Sequence, residues 1–140
     1  MNTPQFIEGK SYTDERGTLR FMNELDLSKV KRFYTIQHHN TDVVRAWQGH
    51  KIESKWFYVT KGRFRLGIVP IKDWEHPGHE TTPQFYELNE HDHQLLYVPK
   101  GYANGFQALE PDSILMVFSD HTLDECKDDN IRIDLHTWTF

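Results

Sequence analysis

The chain has 140 residues, which is enough for one domain with a buried core, so we expect residues 1–140 to form a single domain. Its formal net charge of -5 makes nucleic acid and anionic membranes poor partners, because both are polyanions. Cys126 is the only cysteine, and the sequence has neither an apolar leader nor an apolar run of membrane length. These features predict a cytoplasmic protein.

Short apolar runs separated by turn residues continue along the chain, and aromatic residues make up 14% of it. Both features favour an all-β domain, a sandwich or a small barrel with almost no helix. A polar lead-in is predicted at residues 1–13, and any helix should be short and lie near residues 25–29 or 123–127. About nine strands are predicted; in chain order they cover residues 18–22, 31–36, 55–60, 63–71, 85–88, 95–99, 102–109, 113–119 and 131–133.

The segment 44–62 is predicted to organise the fold. Residues 55–60 are aromatic and β-branched, and the Lys-Gly turn signal that follows them indicates a hairpin into the next strand. Before them, Gln48 and His50 alternate along an extended chain and share one face, and a shift of the alternation brings Lys55 close to them. Polar side chains at alternate positions of a central strand indicate a wet pocket inside a β-structure. The alternative is an edge strand with a solvated face.

Residues 94–109, QLLYVPKGYANGFQAL, resemble the QLYVPxGxAHGFxxL signature of the dTDP-4-dehydrorhamnose 3,5-epimerase family. Two shorter matches occur in the same order as in that family. DERG at residues 14–17 resembles its DxRG segment, and NIRID at residues 130–134 resembles its closing GIRWDD. Arg45 is similar to the arginine of its RGLHxQ segment, and Lys55 to the lysine of its following strand. The resemblance extends over most of the chain.

A second resemblance concerns the segment around His50. QGHK at residues 48–51 is similar to the RGxHAHK strand of the related sugar-nucleotide 3,4-ketoisomerases, with His50 at the second histidine. Both families are cupins, so the resemblance implies a double-stranded β-helix, a jelly-roll-like antiparallel barrel. It also implies a homodimer that acts on a dTDP-linked 4-keto-6-deoxyhexose. We expect the apolar strand at residues 19–22 to lie at the dimer contact, where it would close an exposed edge.

The chain departs from the epimerase pattern where that family keeps its catalytic groups. Gln48 occupies the position of the histidine that removes a proton beside the ketone, and an amide does not take up a proton near neutral pH. The family's acidic tyrosine falls near Val117, and the histidine of its AHGF segment is Asn104. The resemblance therefore implies the fold and an anion-binding pocket more strongly than it implies 3,5-epimerase chemistry.

Proton abstraction beside a carbonyl needs a base of suitable pKa and a cation or donor for the enolate oxygen. His50 and Lys55 are the candidates for these two catalytic roles, and a nearby Lys55 should lower the pKa of His50 and keep it neutral. Arginine suits a diphosphate, because its guanidinium group binds phosphate oxygens in pairs. The predicted substrate-binding residues are Arg16, from the same or the partner chain, Arg45, Gln48, Tyr97 and Asn104.

Metal is the other chemistry that a cupin supports. The positions at which metal-binding cupins place three histidines and a glutamate hold, in this chain, Gln48, His50, Lys55 and Asn104. One good ligand remains among these, and the lysine ammonium repels a cation, so we predict no metal and no other cofactor. Three hypotheses follow: an epimerase or isomerase of a nucleotide-linked 4-keto sugar, a non-catalytic cupin that binds such a nucleotide sugar, and a metal-dependent cupin of another chemistry.

Overall fold

The computed structural model describes residues 2–140, which form twelve β-strands and one short 3₁₀-helix. No helix among these residues is long and apolar enough to cross a membrane. The strands are β1 Gln5–Glu8, β2 Lys10–Asp14, β3 Gly17–Phe21, β4 Arg32–His38, β5 Val44–His50, β6 Lys55–Lys61, β7 Arg63–Pro70, β8 Gln84–Asn89, β9 Gln94–Val98, β10 Tyr102–Ala108, β11 Ser113–Ser119 and β12 Ile131–Arg132, and the 3₁₀-helix is Leu135–Thr137.

Ten of the strands form two antiparallel five-stranded sheets. The first sheet has the order β1-β9-β6-β11-β4, and the second has the order β12-β5-β10-β7-β8. From β4 to β7, and again from β8 to β12, the chain changes sheet at every connection. This alternation is the jelly-roll pattern of a double-stranded β-helix. The predicted all-β cupin barrel is therefore confirmed.

A hydrophobic core fills the space between the two sheets, because alternate residues of each strand point inwards. Phe57 of the first sheet packs in this inner core with Leu66 and Phe106 of the second sheet. Burying one such side chain contributes about 1.5–3 kcal/mol to stability. A smaller cluster around Trp47 and Trp138 lies outside the second sheet and is closed by the C-terminal segment. The second sheet is therefore buried on both faces around Trp47, Val69 and Ala103.

Three local predictions from the sequence are wrong. Of the predicted polar lead-in at residues 1–13, residue 1 lies outside the described residues. Residues 2–13 include β1 and most of β2, which pair with β9 and β3. Residues 25–29 and 123–127 are turns and irregular backbone, and the short helix lies at Leu135–Thr137. The expected hairpin between β6 and β7 does not form, because β6 pairs with β9 and β11, whereas β7 pairs with β8 and β10.

The turn at Gly62 takes the chain from the first sheet to the second. Its φ of 76° lies in the left-handed region, which glycine adopts at the lowest cost. A Cβ at this position would overlap the Ser113 hydroxyl, which accepts a hydrogen bond from the Arg63 backbone N–H at 3.1 Å. The turn signal in the sequence is thus real, but it marks a corner of the barrel.

The strands β2 and β3 form a separate two-stranded hairpin with a mostly exposed surface. Tyr12 and Leu19 are 60% and 63% exposed on it. A two-stranded hairpin alone is at best marginally stable in water, so apolar side chains of this kind favour a further contact. The predicted dimer contact at residues 19–22 overlaps β3 and stays a prediction.

Candidate functional site

One row of side chains crosses the second sheet at the level of Gln48. Arg132 of β12 and Asn104 of β10 are the cross-strand partners of Gln48 on its two sides. Directly opposed residues of neighbouring strands point to the same face, and Asn104 is also opposite Ile68 of the inner core. The row therefore faces the space between the sheets, with Asn104 buried and Arg132 exposed at the sheet edge.

His50 lies two residues beyond Gln48 on the same face of β5, and it is only 4% exposed. Its Nδ1 lies 2.9 Å from the backbone carbonyl oxygen of Asp129. A carbonyl oxygen only accepts hydrogen bonds, so Nδ1 carries the hydrogen in this contact. The other ring nitrogen, Nε2, is buried and has no hydrogen-bond partner within residues 2–140. The ring therefore keeps a free lone pair at Nε2 in the interior.

The environment of His50 holds its imidazole in the neutral form. Burial lowers the pKa of His50, and the nearby Lys55 ammonium lowers it further, to about 4, against the opposing effect of the Glu53 and Asp129 carboxylates. The direction agrees with the expectation from the sequence, although burial and not Lys55 is the larger cause. A neutral imidazole is the form that accepts a proton.

Glu53 is the buried carboxylate beside His50. It accepts a hydrogen bond from Arg32 Nη2 at 2.9 Å and another from the Ser119 hydroxyl. Its Oε1 lies 3.3 Å from His50 Nδ1 and 3.8 Å from Lys55 Nζ. Burial raises the pKa of Glu53, but the neighbouring cations, the hydroxyl and the imidazole together bring it below its ordinary value. Glu53 therefore stays ionised and balances the buried cations.

Lys55 is buried at the start of β6, and its Nζ donates a hydrogen bond to the Tyr34 hydroxyl at 3.1 Å. Tyr34 lies on β4 and packs against the inner core. Tyr34 is not among the residues predicted from the sequence, because β11 lies between β4 and β6 in the first sheet and the two strands are not neighbours. The alternation of Arg32, Tyr34 and Ile36 was the available signal that they share a face. The pair presents an ammonium group and a phenol, both able to donate to an oxygen.

Arg45 and Arg132 line a cleft of about 240 Å³ next to Gln48. Both side chains are exposed, and neither forms a salt bridge with any of residues 2–140. Two guanidinium groups without a carboxylate partner favour an anionic ligand with several oxygens. Arg132 was not among the predicted binding residues, although it lies in the NIRID segment that the sequence comparison singled out.

Tyr97 does not line the same pocket as His50 in this chain. Its neighbours Leu96 and Val98 occupy the inner core, so the alternation of β9 turns Tyr97 to the outer face of the first sheet. There its ring packs on Trp56 with 5.1 Å between the centroids and lines a separate cleft of about 660 Å³. The prediction of Tyr97 as a binding residue rests on its closeness to the Pro-Lys-Gly turn, and that closeness does not determine which face of β9 it occupies.

Arg16 lies at the turn between β2 and β3, at the exposed end of the hairpin. Its side chain is 82% exposed, and its Nη2 lies 2.5 Å from Asp14 Oδ2. Asp14 is the only hydrogen-bond partner of the Arg16 side chain among residues 2–140. Within one chain, Arg16 is therefore not joined to the cluster around His50.

His50, Glu53 and Asp129 bring three potential metal ligands within 4.8 Å of one another. The two carboxylates are already engaged, since Asp129 accepts the backbone N–H groups of residues 51–53 and Glu53 is bound by a guanidinium group and a hydroxyl. The Lys55 ammonium, 3.8 Å from Glu53, would also repel a cation. This donor set does not fit a metal ion, which needs about four free ligand atoms.

The family model described as "FdtA: WxcM-like, C-terminal" matches residues 2–135 of the chain. No curated protein matches the chain in sequence. The family match covers all of the strands and the whole cluster around His50.

Solved structures share the fold. The dTDP-4-dehydrorhamnose 3,5-epimerase of Sulfolobus tokodaii is 27% identical with a TM-score of 0.76, over 98% of this chain and 80% of that one. A histidine-to-asparagine variant of the Thermoanaerobacterium thermosaccharolyticum 3,4-ketoisomerase QdtA, in complex with TDP-4-keto-6-deoxyglucose, is 20% identical with a TM-score of 0.72, over 95% and 89%. The Campylobacter jejuni TDP-quinovose 3,4-ketoisomerase WlaRB is 18% identical with a TM-score of 0.71, over 98% of each chain. The resemblance inferred from the sequence is confirmed.

Proposed function

The chain belongs to the WxcM-like, C-terminal family (FdtA), and from this premise we propose that it binds a TDP-linked 4-keto-6-deoxyhexose and isomerises the sugar. A base removes the proton from the carbon next to the ketone. The C–H electron pair then forms a carbon–carbon double bond, and the carbonyl oxygen takes up the negative charge. The proton returns to the former carbonyl carbon, while the hydroxyl proton of the neighbouring carbon is transferred to the former carbonyl oxygen. The ketone thereby moves to the neighbouring carbon, and no oxidant or reductant is consumed.

The observation that carries this proposal is the state of His50. A general base must be unprotonated and must offer a lone pair that is not already committed. His50 meets both conditions, because its pKa is lowered to about 4 and its buried Nε2 has no partner within residues 2–140. A buried polar atom without a partner costs stability, so the unbonded Nε2 favours a role for this lone pair in binding or catalysis.

Lys55 and Tyr34 supply the electrophilic side of the proposed reaction. The enediolate oxygen needs a donor or a cation, and a buried ammonium group stabilises such a charge more than one in water does. The Tyr34 hydroxyl, 3.1 Å from Lys55 Nζ, is placed to exchange a proton with a sugar oxygen while the ammonium group stays charged. Gln48 and Asn104 are the proposed hydroxyl-binding groups on the opposite sheet.

The nucleotide is proposed to bind with its diphosphate in the cleft between Arg45 and Arg132. A homodimer would complete this site, with Arg16 on the exposed hairpin of one chain reaching the diphosphate bound by the other. This arrangement would also cover Tyr12 and Leu19, which are exposed in the single chain. Tyr97 remains a candidate only for the part of a ligand that extends beyond the barrel.

Gln48 favours ketone isomerisation over epimerisation, and it also supports an alternative in which the chain binds the sugar nucleotide without catalysis. The epimerase base is a histidine at this position, so inversion of a carbon by that base is not supported. Transfer of a proton between neighbouring carbons needs one base, and His50 supplies it. The alternative is a non-catalytic cupin that binds the nucleotide sugar, with the loss of the base at Gln48 as its supporting observation.

The test is incubation of the chain with TDP-4-keto-6-deoxyglucose in D₂O, followed by NMR spectroscopy of the sugar. We expect deuterium to enter the sugar and the ketone to move by one carbon. His50→Asn should abolish exchange and leave TDP binding nearly unchanged, because the nucleotide contacts other residues. His91→Asn is the matched control, since His91 is exposed and distant in sequence from the cluster.

Two results would separate the alternatives. If the wild-type chain binds the sugar nucleotide but no deuterium enters the sugar, the enzyme proposal would be wrong and the non-catalytic binding protein would take its place. Exchange that persists in His50→Asn would assign the base to another group. Inversion at a carbon without movement of the ketone would instead support an epimerase.

A further inference from the structure

The Asp129 carboxylate is the hydrogen-bond acceptor for three consecutive backbone N–H groups directly after His50. Its Oδ1 lies 2.7 Å from the Lys51 nitrogen, and its Oδ2 lies 2.9 Å from the Glu53 nitrogen. The Ile52 nitrogen lies 3.2 Å and 3.1 Å from the two oxygens. Asp129 itself is only 6% exposed. One buried side chain therefore holds the whole segment that connects His50 to Glu53.

The backbone of the same residue contacts the imidazole. The carbonyl oxygen of Asp129 lies 2.9 Å from His50 Nδ1, and this contact fixes the hydrogen on Nδ1. The side-chain and main-chain contacts are coupled, because the carboxylate sets where the Asp129 backbone lies relative to β5. The residue thus contacts both the imidazole and the backbone that follows it.

Glu53 is the competing acceptor for the same hydrogen, and the geometry favours Asp129. Glu53 Oε1 is 3.3 Å from His50 Nδ1, which is longer than the contact with the Asp129 carbonyl. The other Glu53 oxygen is bound by Arg32 and by Ser119. The Glu53 carboxylate therefore serves mainly the buried cations, and it adds a weaker second contact to the imidazole.

The turn that carries Asp129 is anchored independently of His50. The Asp129 backbone N–H donates to the Cys126 carbonyl oxygen at 3.0 Å. At the other end of the same excursion, Asp120 Oδ1 accepts the Ser54 backbone N–H at 2.9 Å. The two ends of the segment 120–129 thus hydrogen-bond to the β5–β6 connection. A shift of this segment would therefore also shift the connection and His50.

We propose that Asp129 is the positioning residue of this site: it locks His50 in the tautomer with a hydrogen on Nδ1 and leaves Nε2 as the base. This inference deepens the proposed function and rests on it for the catalytic consequence, although the tautomer itself can be measured without substrate. An imidazole in the opposite tautomer would carry a hydrogen at Nε2 and could not accept a proton there. Asp129 touches neither substrate nor reacting atom in this scheme.

The experiment compares wild type with Asp129→Ala, Asp129→Asn and, as a control, Asp128→Ala, which removes the exposed neighbouring carboxylate. Proton–nitrogen NMR of the full chain with labelled histidine reports which ring nitrogen of His50 carries the hydrogen. We expect wild type and Asp128→Ala to have it on Nδ1 only. Asp129→Ala should give a mixture of tautomers, and Asp129→Asn should be intermediate, because its amide oxygen still accepts while its NH₂ group opposes the backbone donors.

The kinetic readout is deuterium exchange into the keto sugar. Misplacement of a catalytic group by about 1 Å can cost about 10²-fold in rate. We expect Asp129→Ala to lower kcat by that order with little change in KM and in TDP affinity. A merely structural role would lower activity through unfolding, which circular dichroism and the TDP affinity would reveal.

The inference would be overturned by a wild-type spectrum with the hydrogen on Nε2, and that measurement needs no variant to fold. It would also be overturned if Asp129→Ala folded and kept both the wild-type tautomer and the wild-type kcat. A wild-type chain that has the hydrogen on Nδ1 but exchanges no proton with the sugar would refute the proposed function and leave the role of Asp129 in setting the tautomer intact.

Discussion

The buried neutral histidine makes the folded chain sensitive to acid, and the size of the effect follows from the structure. The pKa of His50 falls from an ordinary 6.5 to about 4 in the folded state. Between these values the unfolded chain binds a proton at this position and the folded chain does not. Stability is therefore present above about pH 6.5 and is lost as the pH falls towards 4, with a limiting loss of about 3 kcal/mol for this one group.

The substitution His50→Gln isolates the contribution of His50 to the pH dependence of stability, because it removes the titrating group and keeps a polar side chain. The free energy of unfolding in urea would be measured for both proteins between about pH 7.5 and about pH 4.5. We expect the stability of the wild type relative to the variant to fall by about 2–3 kcal/mol over this range. Glu53 adds to acid sensitivity in both proteins, since its pKa is also lowered on folding and its stabilisation is lost as the pH falls.

The matched control is His91→Gln, which removes an imidazole that water already solvates in the folded chain. The stability of the wild type relative to His91→Gln should not fall in this way as the pH is lowered. A constant difference between wild type and His50→Gln across the pH range would refute the reasoning, because it would mean that His50 titrates alike in the folded and unfolded chains. A difference that grows in favour of the wild type in acid would mean that His50 is protonated and paired in the folded state.

Three further predictions concern binding, electrostatics and the fold. Arg45→Ala should weaken TDP binding by about 1.5–3 kcal/mol in calorimetry, because it removes a charged hydrogen-bond donor from the proposed phosphate cleft; an unchanged affinity would place the diphosphate elsewhere. Lys55→Met should raise the pKa of His50 in an NMR titration, since one cause of its lowering is removed, and should slow deuterium exchange. Gly62→Ala should destabilise the chain by about 1–3 kcal/mol in urea unfolding, because of the left-handed φ and the overlap with Ser113.

The sequence by itself determined the fold class and indicated the centre of the candidate site. Period-two alternation and short turn-bounded runs predict strands wherever one face is buried, and the resemblance of residues 94–109 to the epimerases placed these strands in a cupin. Alternation along β5 was also sufficient to put Gln48 and His50 on one face. These inferences are local: they depend on neighbours in the chain and on the pleat of a strand.

Only the tertiary structure decided which distant groups complete the site. Tyr34 of β4 contacts Lys55, and Asp129 of the turn before β12 contacts His50. No local sequence pattern encodes these long-range contacts. Tyr97 fell on the outer face because the register of β9 turns its neighbours inwards, and a change of one residue in register exchanges the two faces of a strand. The same reason explains the missing β6–β7 hairpin: a turn residue fixes the local backbone, but the packing of two sheets selects the pairing partners.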